Sequence, residues 1–323
     1  MSAFGTVAAG NMRTPVMAKK EISVRFVRTT VKEMLPVPVR QVLKGVLNYA
    51  KRILRWPIIL WQVRGVSRTD QIALLISAMA APYCSLRNLL AWQDPILLRN
   101  ATVVVPGVGQ FSLRAHTDDL WHVLPWRERS IANTIRSTLH RGDVFIDAGA
   151  NIGIHTVLAS RVVGPSGRVI SIEMMPDTAD RLEAHVHMNE LQNVVIVRHA
   201  LSDRSGQVVR ATVQEGKHGQ ATIVHDSGRS GNLREVEVET TTLDSITSGI
   251  KHVPLMKIDV EGAELMALQG APVLLRKLQS IVYESWGWKR GDAEPVDELL
   301  KAAGFLPRQL DGNNWIAVRS ELS

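Results

Sequence analysis

The chain has 323 residues, 45% of them hydrophobic, enough for one large α/β core with an appended segment. Its single cysteine, Cys84, excludes an internal disulfide and a cysteine-based zinc site, and agrees with a reducing compartment. The net charge of +7 is uneven: residues 1–70 hold thirteen Lys or Arg against Glu21, Glu33 and Asp70, a net of +10, so the other 253 residues sum to −3. The basicity belongs to an N-terminal arm and gives no argument for nucleic-acid binding by the core.

Residues 1 to about 35 lack clear periodicity. Between Val37 and Val66, Leu43, Val46, Leu47, Ala50, Ile53 and Leu54 recur at helical spacing, with Lys44, Lys51, Arg52 and Arg55 among them and Trp56 and Trp61 towards the end. Two readings stay open: an amphipathic helix on an anionic membrane surface, or a helix packed on its own core with a solvated basic face. Ile72 to Cys84 is apolar for thirteen residues, short of the about 20 a membrane helix needs. The first thirty residues carry no apolar stretch followed by a cleavage site. The expectation is a soluble, cytoplasmic enzyme whose arm, residues 1–94, is basic, mainly helical and a candidate for peripheral membrane contact.

A second segment, residues 95–323, reads as the catalytic domain. Pro95 to His116 has the pattern of a β-hairpin around PGVGQ, and Trp121 to Leu139 that of a helix. Strand and helix then alternate: strand Val144–Ile146, helix Ile154–Val163, strand Val169–Ile172, helix from Pro176 to about Glu190 and strand Val194–Arg198. Three strands, Gln207–Thr212, Ala221–His225 and Glu235–Thr240, fall outside the parallel order. Strand Pro254–Asp259, helix Gly262–Leu278, strand Ser280–Glu284, helix Glu294–Ala303 and an antiparallel pair over Phe305–Val318 complete the chain. Such alternation requires right-handed crossovers and a mostly parallel sheet with helices on both faces.

In a sheet of this kind the ligand lies at the carboxyl ends of the strands, where Asp147, Glu173, Asp203, Asp259 and Glu284 would converge on one rim. Gly149, Asn151 and Gly153 fill the first strand-to-helix turn, and Glu173 follows Gly153 by twenty residues, placed to accept ribose hydroxyls. The turn does not fit the three-glycine dinucleotide pattern, and Asp147 would repel a pyrophosphate. A cationic, phosphate-free nucleoside such as S-adenosylmethionine fits better.

The chain resembles the FkbM family of S-adenosylmethionine-dependent methyltransferases over roughly Ile96 to Val318. The resemblance rests on IDAGANIG (146–153), Glu173 to Pro176, ALSDRSG (200–206), TTLDSI (241–246) and KIDVEGAELMALQGA (257–271). His155 stands where the family more often has an aromatic residue, and Met174 and Met175 separate Glu173 from its proline. The resemblance implies a Rossmann-like class I methyltransferase fold with a seven-stranded sheet, and methyl transfer, usually to a hydroxyl of a sugar, glycolipid or natural product.

On that basis Gly149, Asn151 and Gly153 line the methionine end of the cofactor, Asp147 meets its ammonium or else caps the helix, and Glu173 binds the ribose. Leu201 and Asp203 border the adenine. Asp259 and Glu261 are the candidates to orient the acceptor hydroxyl and take its proton, with Lys257 fixing one of them by an ion pair. Glu284, Trp286 and Trp288 are candidates for an acceptor platform, and His218, in the stretch EGKHGQ, for an alternative base. No metal set stands out. A nicotinamide-dependent oxidoreductase and a catalytically silent adaptor with a methyltransferase fold are the competing readings.

Overall fold

In the computed structural model, which describes residues 36–86, 94–214, 216–224, 233–285 and 295–320, the first element is α1 (Val37–Gln62). Proline in its first turn costs no hydrogen bond, since that turn has none to lose. Val63 leaves the helix in extended conformation and leads into the short strand β1 (Arg64–Gly65). Helix α2 (Arg68–Ser85) opens on a capping box: Ser67 Oγ accepts from the Asp70 N–H, and Asp70 Oδ2 from the Ser67 N–H. Asp70 Oδ1 also accepts from Thr102 N–H at 2.8 Å. That bond ties α2 to β2 (Ala101–Val105), which forms the predicted hairpin with β3 (Gly109–Leu113). β1 pairs antiparallel with β2, making a three-stranded sheet.

The helix expected over Trp121–Leu139 is two, α3 (Asp119–His122) and α4 (Arg129–Thr138). Pro125 lies in the break; it donates no N–H and pushes the residue before it out of helical conformation. The irregular segment between them returns in the site below.

The alternating part contains β4 (Val144–Ala148), α5 (Ile154–Val163), β5 (Arg168–Ile172), α6 (Pro176–Met188) and β6 (Val194–Val197). A small sheet follows, built from β7 (Ala200–Leu201), β8 (Val208–Gln214), β9 (Lys217–Thr222) and β10 (Leu233–Thr241) in the order β7-β10-β8-β9. The strand expected at Ala221–His225 thus begins earlier: β9 pairs with β8 back to Lys217, so EGKHGQ enters a strand, whereas His225 lies outside the described residues. The chain ends with α7 (Leu243–Ile246), β11 (Val253–Ile258), α8 (Glu264–Gln269), α9 (Pro272–Lys277), β12 (Leu278–Glu284), α10 (Pro295–Ala302), β13 (Phe305–Asp311) and β14 (Asn314–Arg319). The single helix expected over 262–278 is divided at Gly270–Pro272.

The large sheet has the order β13-β14-β12-β11-β4-β5-β6. Five strands, β12 to β6 in that order, are parallel, and β14 and β13 close the edge antiparallel. This is the seven-stranded, mostly parallel sheet expected of a class I methyltransferase. All six residues of β11 are buried, as both faces of a covered parallel sheet require. From β4 the chain winds outward through β5 and β6, then returns to start β11 on the other side. The order therefore reverses between β4 and β11, the place where such sheets bind ligands.

Candidate active site

The turn after β4 is shaped by contacts that leave little freedom. Gly149 has φ +75°, and a Cβ there would lie 1.8 Å from the Asp259 carbonyl oxygen, so glycine is required on two counts. Its N–H and that of Ala150 donate to Ile172 O (3.0 and 2.9 Å), and Asp259 N–H donates to Ala148 O (3.0 Å). These bonds clamp the ends of β4, β5 and β11 together. Gly153, at φ +92°, is the N-cap of α5, and its missing Cβ leaves room for Leu182.

Glu173 organises the same turn. Its Oε2 accepts from the Asn151 N–H and its Oε1 from the Met175 N–H, each at 2.9 Å. Asn151 is thereby held at φ +50°. Burial pushes the Glu173 carboxyl up to about 7 against the two N–H bonds and Lys257, with Asp147 adding to the rise. A carboxylate has about four lone-pair positions, so two stay open for hydroxyl donors.

Lys257 lies at the centre of the floor. Its Nζ donates to Gly149 O at 3.0 Å and faces Asp259 Oδ2 at 3.6 Å and Asp147 Oδ1 at 3.8 Å. Burial alone would lower its pKa, but Asp259, Asp147 and Glu128 outweigh it and the net shift is upward. The ammonium is therefore a fixed cation and not a proton acceptor. Beyond β11, Glu264 Oε1 accepts from the N–H groups of Val260 and Gly262 (2.9 and 3.3 Å) and shapes the loop that carries Glu261. Glu261 has φ +52°, and its carbonyl accepts from Thr222 Oγ1 at 2.7 Å, which joins this loop to β9.

A crevice runs over these residues, lined by Gly149 to His155, Ile172 to Met174, Leu201, Lys257, Asp259 and Glu261. Its far wall was not foreseen: Gly219 and Ala221 of β9 with Ile223 just beyond it, and His122 at the end of α3 with Arg127 and Glu128 of the break before α4. Arg127 Nη1 donates to His122 Nδ1, leaving Nε2–H to donate to Asp118 Oδ2 at 3.1 Å. Arg127 Nη2 also pairs with Glu128 Oε1 at 3.4 Å, and Glu128 Oε2 is 3.4 Å from His155 Nε2. Burial would raise the Glu128 carboxyl, but Arg127, His155, Lys257 and His122 hold it at about 2. Burial lowers the His155 imidazole, with Glu128 acting against it. The signal for this wall was slight, one proline and a WRER run that helical periodicity absorbed.

Of the predicted residues, Gly149, Asn151, Gly153, Glu173, Leu201, Lys257, Asp259 and Glu261 line the crevice. Asp147 does not: it is fully enclosed, accepts from Thr156 Oγ1 at 2.7 Å, and stands behind Lys257. It is placed to hold the lysine, not to touch an ammonium. Asp203 also lies outside, since Ser202 and Asp203 pack against Gly270, where a Cβ would meet Ser202 O at 2.3 Å. Its carboxylate accepts from Ser202 Oγ and faces Arg204. Glu284 ends β12 beside β14 and accepts from Asn313 Nδ2 at 3.3 Å, two strands from β4. Of the five acids expected on the rim, Glu173 and Asp259 line the crevice, and Asp147 lies behind Lys257. Trp286, Trp288 and the His218 side chain lie outside the described residues.

The methyltransferase FkbM domain family matches residues 147–307. The chain belongs to this family. Methyltransferase sdnD of Sordaria araneosa is 26% identical over 190 residues, 50% of this chain and 72% of its own length. Hexuronic acid methyltransferase AglP of Haloferax volcanii is 26% identical over 220 residues, 65% of this chain and 86% of its own length. Among solved structures, Aeropyrum pernix fibrillarin with natively bound S-adenosyl-L-methionine aligns over 59% of this chain and 74% of its own, at 13% identity and TM-score 0.34.

This FkbM methyltransferase uses S-adenosylmethionine, which sets aside the nicotinamide reading. The residues present fit that cofactor. The turn leaves no space for a Cβ at Gly149, and a buried carboxylate with open lone pairs follows β5. Among the described residues no group of His, Cys, Asp and Glu is arranged to hold a metal ion.

Proposed function

We propose that this FkbM methyltransferase is an O-methyltransferase whose acceptor is a hydroxyl of a sugar, a glycolipid or a natural-product scaffold. The observation that carries the reading is the pair Asp259 and Glu261 on the crevice wall, with the cation Lys257 3.6 Å from Asp259. The similarity to a hexuronic acid methyltransferase supports an acceptor of the sugar class.

S-Adenosylmethionine supplies an electrophilic methyl group on a sulfur that leaves as a neutral thioether and needs no proton. The acceptor hydroxyl, by contrast, must lose one. The Asp259 carboxylate would accept the hydroxyl's hydrogen bond, orient its oxygen and take its proton. Lys257 pairs with Asp259 and fixes its rotamer. Glu261 holds a neighbouring acceptor group, and Glu173 holds the ribose.

Labelled methyl donor offered with uronic acids, neutral hexoses and their lipid-linked forms, and products identified by mass spectrometry, tests the acceptor class. In a turnover assay on the acceptor so found, Asp259→Asn lowers kcat by about 10²- to 10⁴-fold, the usual weight of a general base. S-Adenosylhomocysteine affinity stays near wild type. Wild-type turnover by Asp259→Asn would remove this residue from the chemistry. Absence of any methylated hydroxyl product would overturn the O-methyltransferase reading.

A further inference from the structure

Helix α1 carries its apolar side outward. At 100° per residue, Val42, Leu43, Val46, Leu47, Leu54 and Trp61 fall within one arc of about 140°, and all are exposed, Leu54 at 66% and Trp61 at 76%. The other side holds Gly45, Arg52, Trp56 and Ile59, which are buried. Arg52 Nη1 donates to Ser85 O at 2.8 Å, so this second side is the one fixed to α2. In a helix that merely covers a core the two sides would be exchanged. Helix α2 adds an outward row of its own, Ile72, Leu75, Met79 and Tyr83, spaced at helical intervals and exposed.

The charge around these rows selects what covers them. Pro36 to Leu86 contains seven Lys or Arg and one acid, Asp70, whose two oxygens are held by Ser67 and Thr102. Arg40, Lys44 and Lys51 follow one edge of the α1 stripe. A second copy of the same face would set these bases against their like. No helix of the described residues is long and apolar enough to cross a membrane. An exposed apolar stripe edged by bases, on a helix about 39 Å long, suits the plane between anionic headgroups and acyl chains.

We propose that α1, with the outward row of α2, is a docking surface for a membrane bearing anionic lipid headgroups, lying in the plane of that surface. The same helices are joined to the crevice. Arg52, Arg55, Trp56 and Tyr83 border a second cavity that Asp118 also lines, and Asp118 Oδ2 accepts from His122 Nε2–H and Gly219 N–H on the crevice's far wall. The docking helix is therefore joined, through its buried side, to the far wall of the crevice.

Flotation of the full-length protein with vesicles tests this. With phosphatidylcholine and phosphatidylglycerol in equal parts the protein floats, with phosphatidylcholine alone it stays largely behind, and salt reduces but does not abolish flotation. The variant Leu47→Glu with Leu54→Glu changes two exposed positions and lowers the bound fraction about tenfold, with S-adenosylhomocysteine affinity unchanged as proof of folding. Lys44→Gln with Lys51→Gln weakens flotation and flattens its salt dependence. Failure of the wild type to float with the anionic vesicles overturns the proposal, and so does equal flotation of the Leu47→Glu, Leu54→Glu variant. A wild-type dimer in size-exclusion chromatography that this variant converts to monomer, with flotation unaltered, assigns the face to a second copy and overturns it as well.

Discussion

Glu173 pins the turn after β4 through the N–H groups of Asn151 and Met175, and in the function proposed above its remaining acceptor capacity takes a second task, the ribose. Its raised pKa, about 7, makes the second task depend on pH. Ribose hydroxyls donate, so the cofactor binds the ionised form. Affinity for S-adenosylhomocysteine is level above pH 7 and falls by about tenfold per pH unit below it, as isothermal calorimetry would read. Binding near pH 6.5 also releases a proton, visible as a dependence of the heat on buffer ionisation. Glu173→Gln binds weakly, with no such slope. For stability the sign is opposite: a carboxyl whose pKa rises on folding adds stability below its ordinary value of 4.5, and that contribution is lost as pH climbs through about 7. A pH-independent affinity in the wild type would contradict this account. Glu173 was legible in the sequence because the end of a strand fixes a residue's place. Asp147 was legible in place but not in exposure, since nothing in IDAG tells that Lys257, 110 residues later, will stand between it and the ligand. Glu128 and His122 were not legible: they reach the crevice from the break before α4 and the end of the short α3, without periodicity.

Among the elements, the block TTLDSI, which carried part of the resemblance, acquires a structural reason. Thr242 Oγ1 accepts from Ser245 N–H as the cap of α7, while Asp244 reaches across to α9 and accepts from the N–H groups of Val273 (2.9 Å) and Leu274 (2.7 Å). Those are first-turn donors with no partner inside their own helix, and a carboxylate there also meets the positive end of the helix dipole. Leu274 and Leu275 of α9 are buried under β11 and β12. Asp244→Ala therefore destabilises the protein by about 1–2 kcal/mol, seen as a lower urea midpoint at an unchanged slope, and Asp244→Asn recovers most of it. An unmoved midpoint in Asp244→Ala would deny the cap. The reading of elements succeeded where an apolar run met a clear stop, as at Ile154–Val163, whose bounds the structure reproduces. It failed where two short helices share one periodic stretch, as in α8 and α9, because the pattern of buried positions survives a break that only Gly270 and Pro272 announce.

For the molecule as a whole, the charge division made the N-terminal arm visible, yet not its attachment. Periodicity finds the apolar side of a helix but cannot tell which way that side faces. In α1 the side towards the core is the sparser one, Trp56 and Ile59, followed by Val63. These three join one continuous core with Val103 and Phe111 of the hairpin and with Phe145 and Leu255 of the large sheet. The hairpin in turn is bolted to α6. His185 Nε2 accepts from Ser112 N–H at 2.9 Å, and Asn189 accepts from Gln110 N–H and donates to Gln110 O, each at 2.8 Å. Removing residues 1–65 would strip three buried side chains at about 1.5–3 kcal/mol each and leave β2 an unpaired edge. The total, roughly 5–9 kcal/mol before any relaxation, approaches the whole stability of an ordinary domain. The truncated chain accordingly loses its cooperative urea transition by tryptophan fluorescence, together with S-adenosylhomocysteine binding, although no residue of the crevice has been removed. Conversely, a truncated chain that unfolds at the wild-type midpoint would show α1 to be an appendage, and the continuity of the core across it would then contribute nothing to stability.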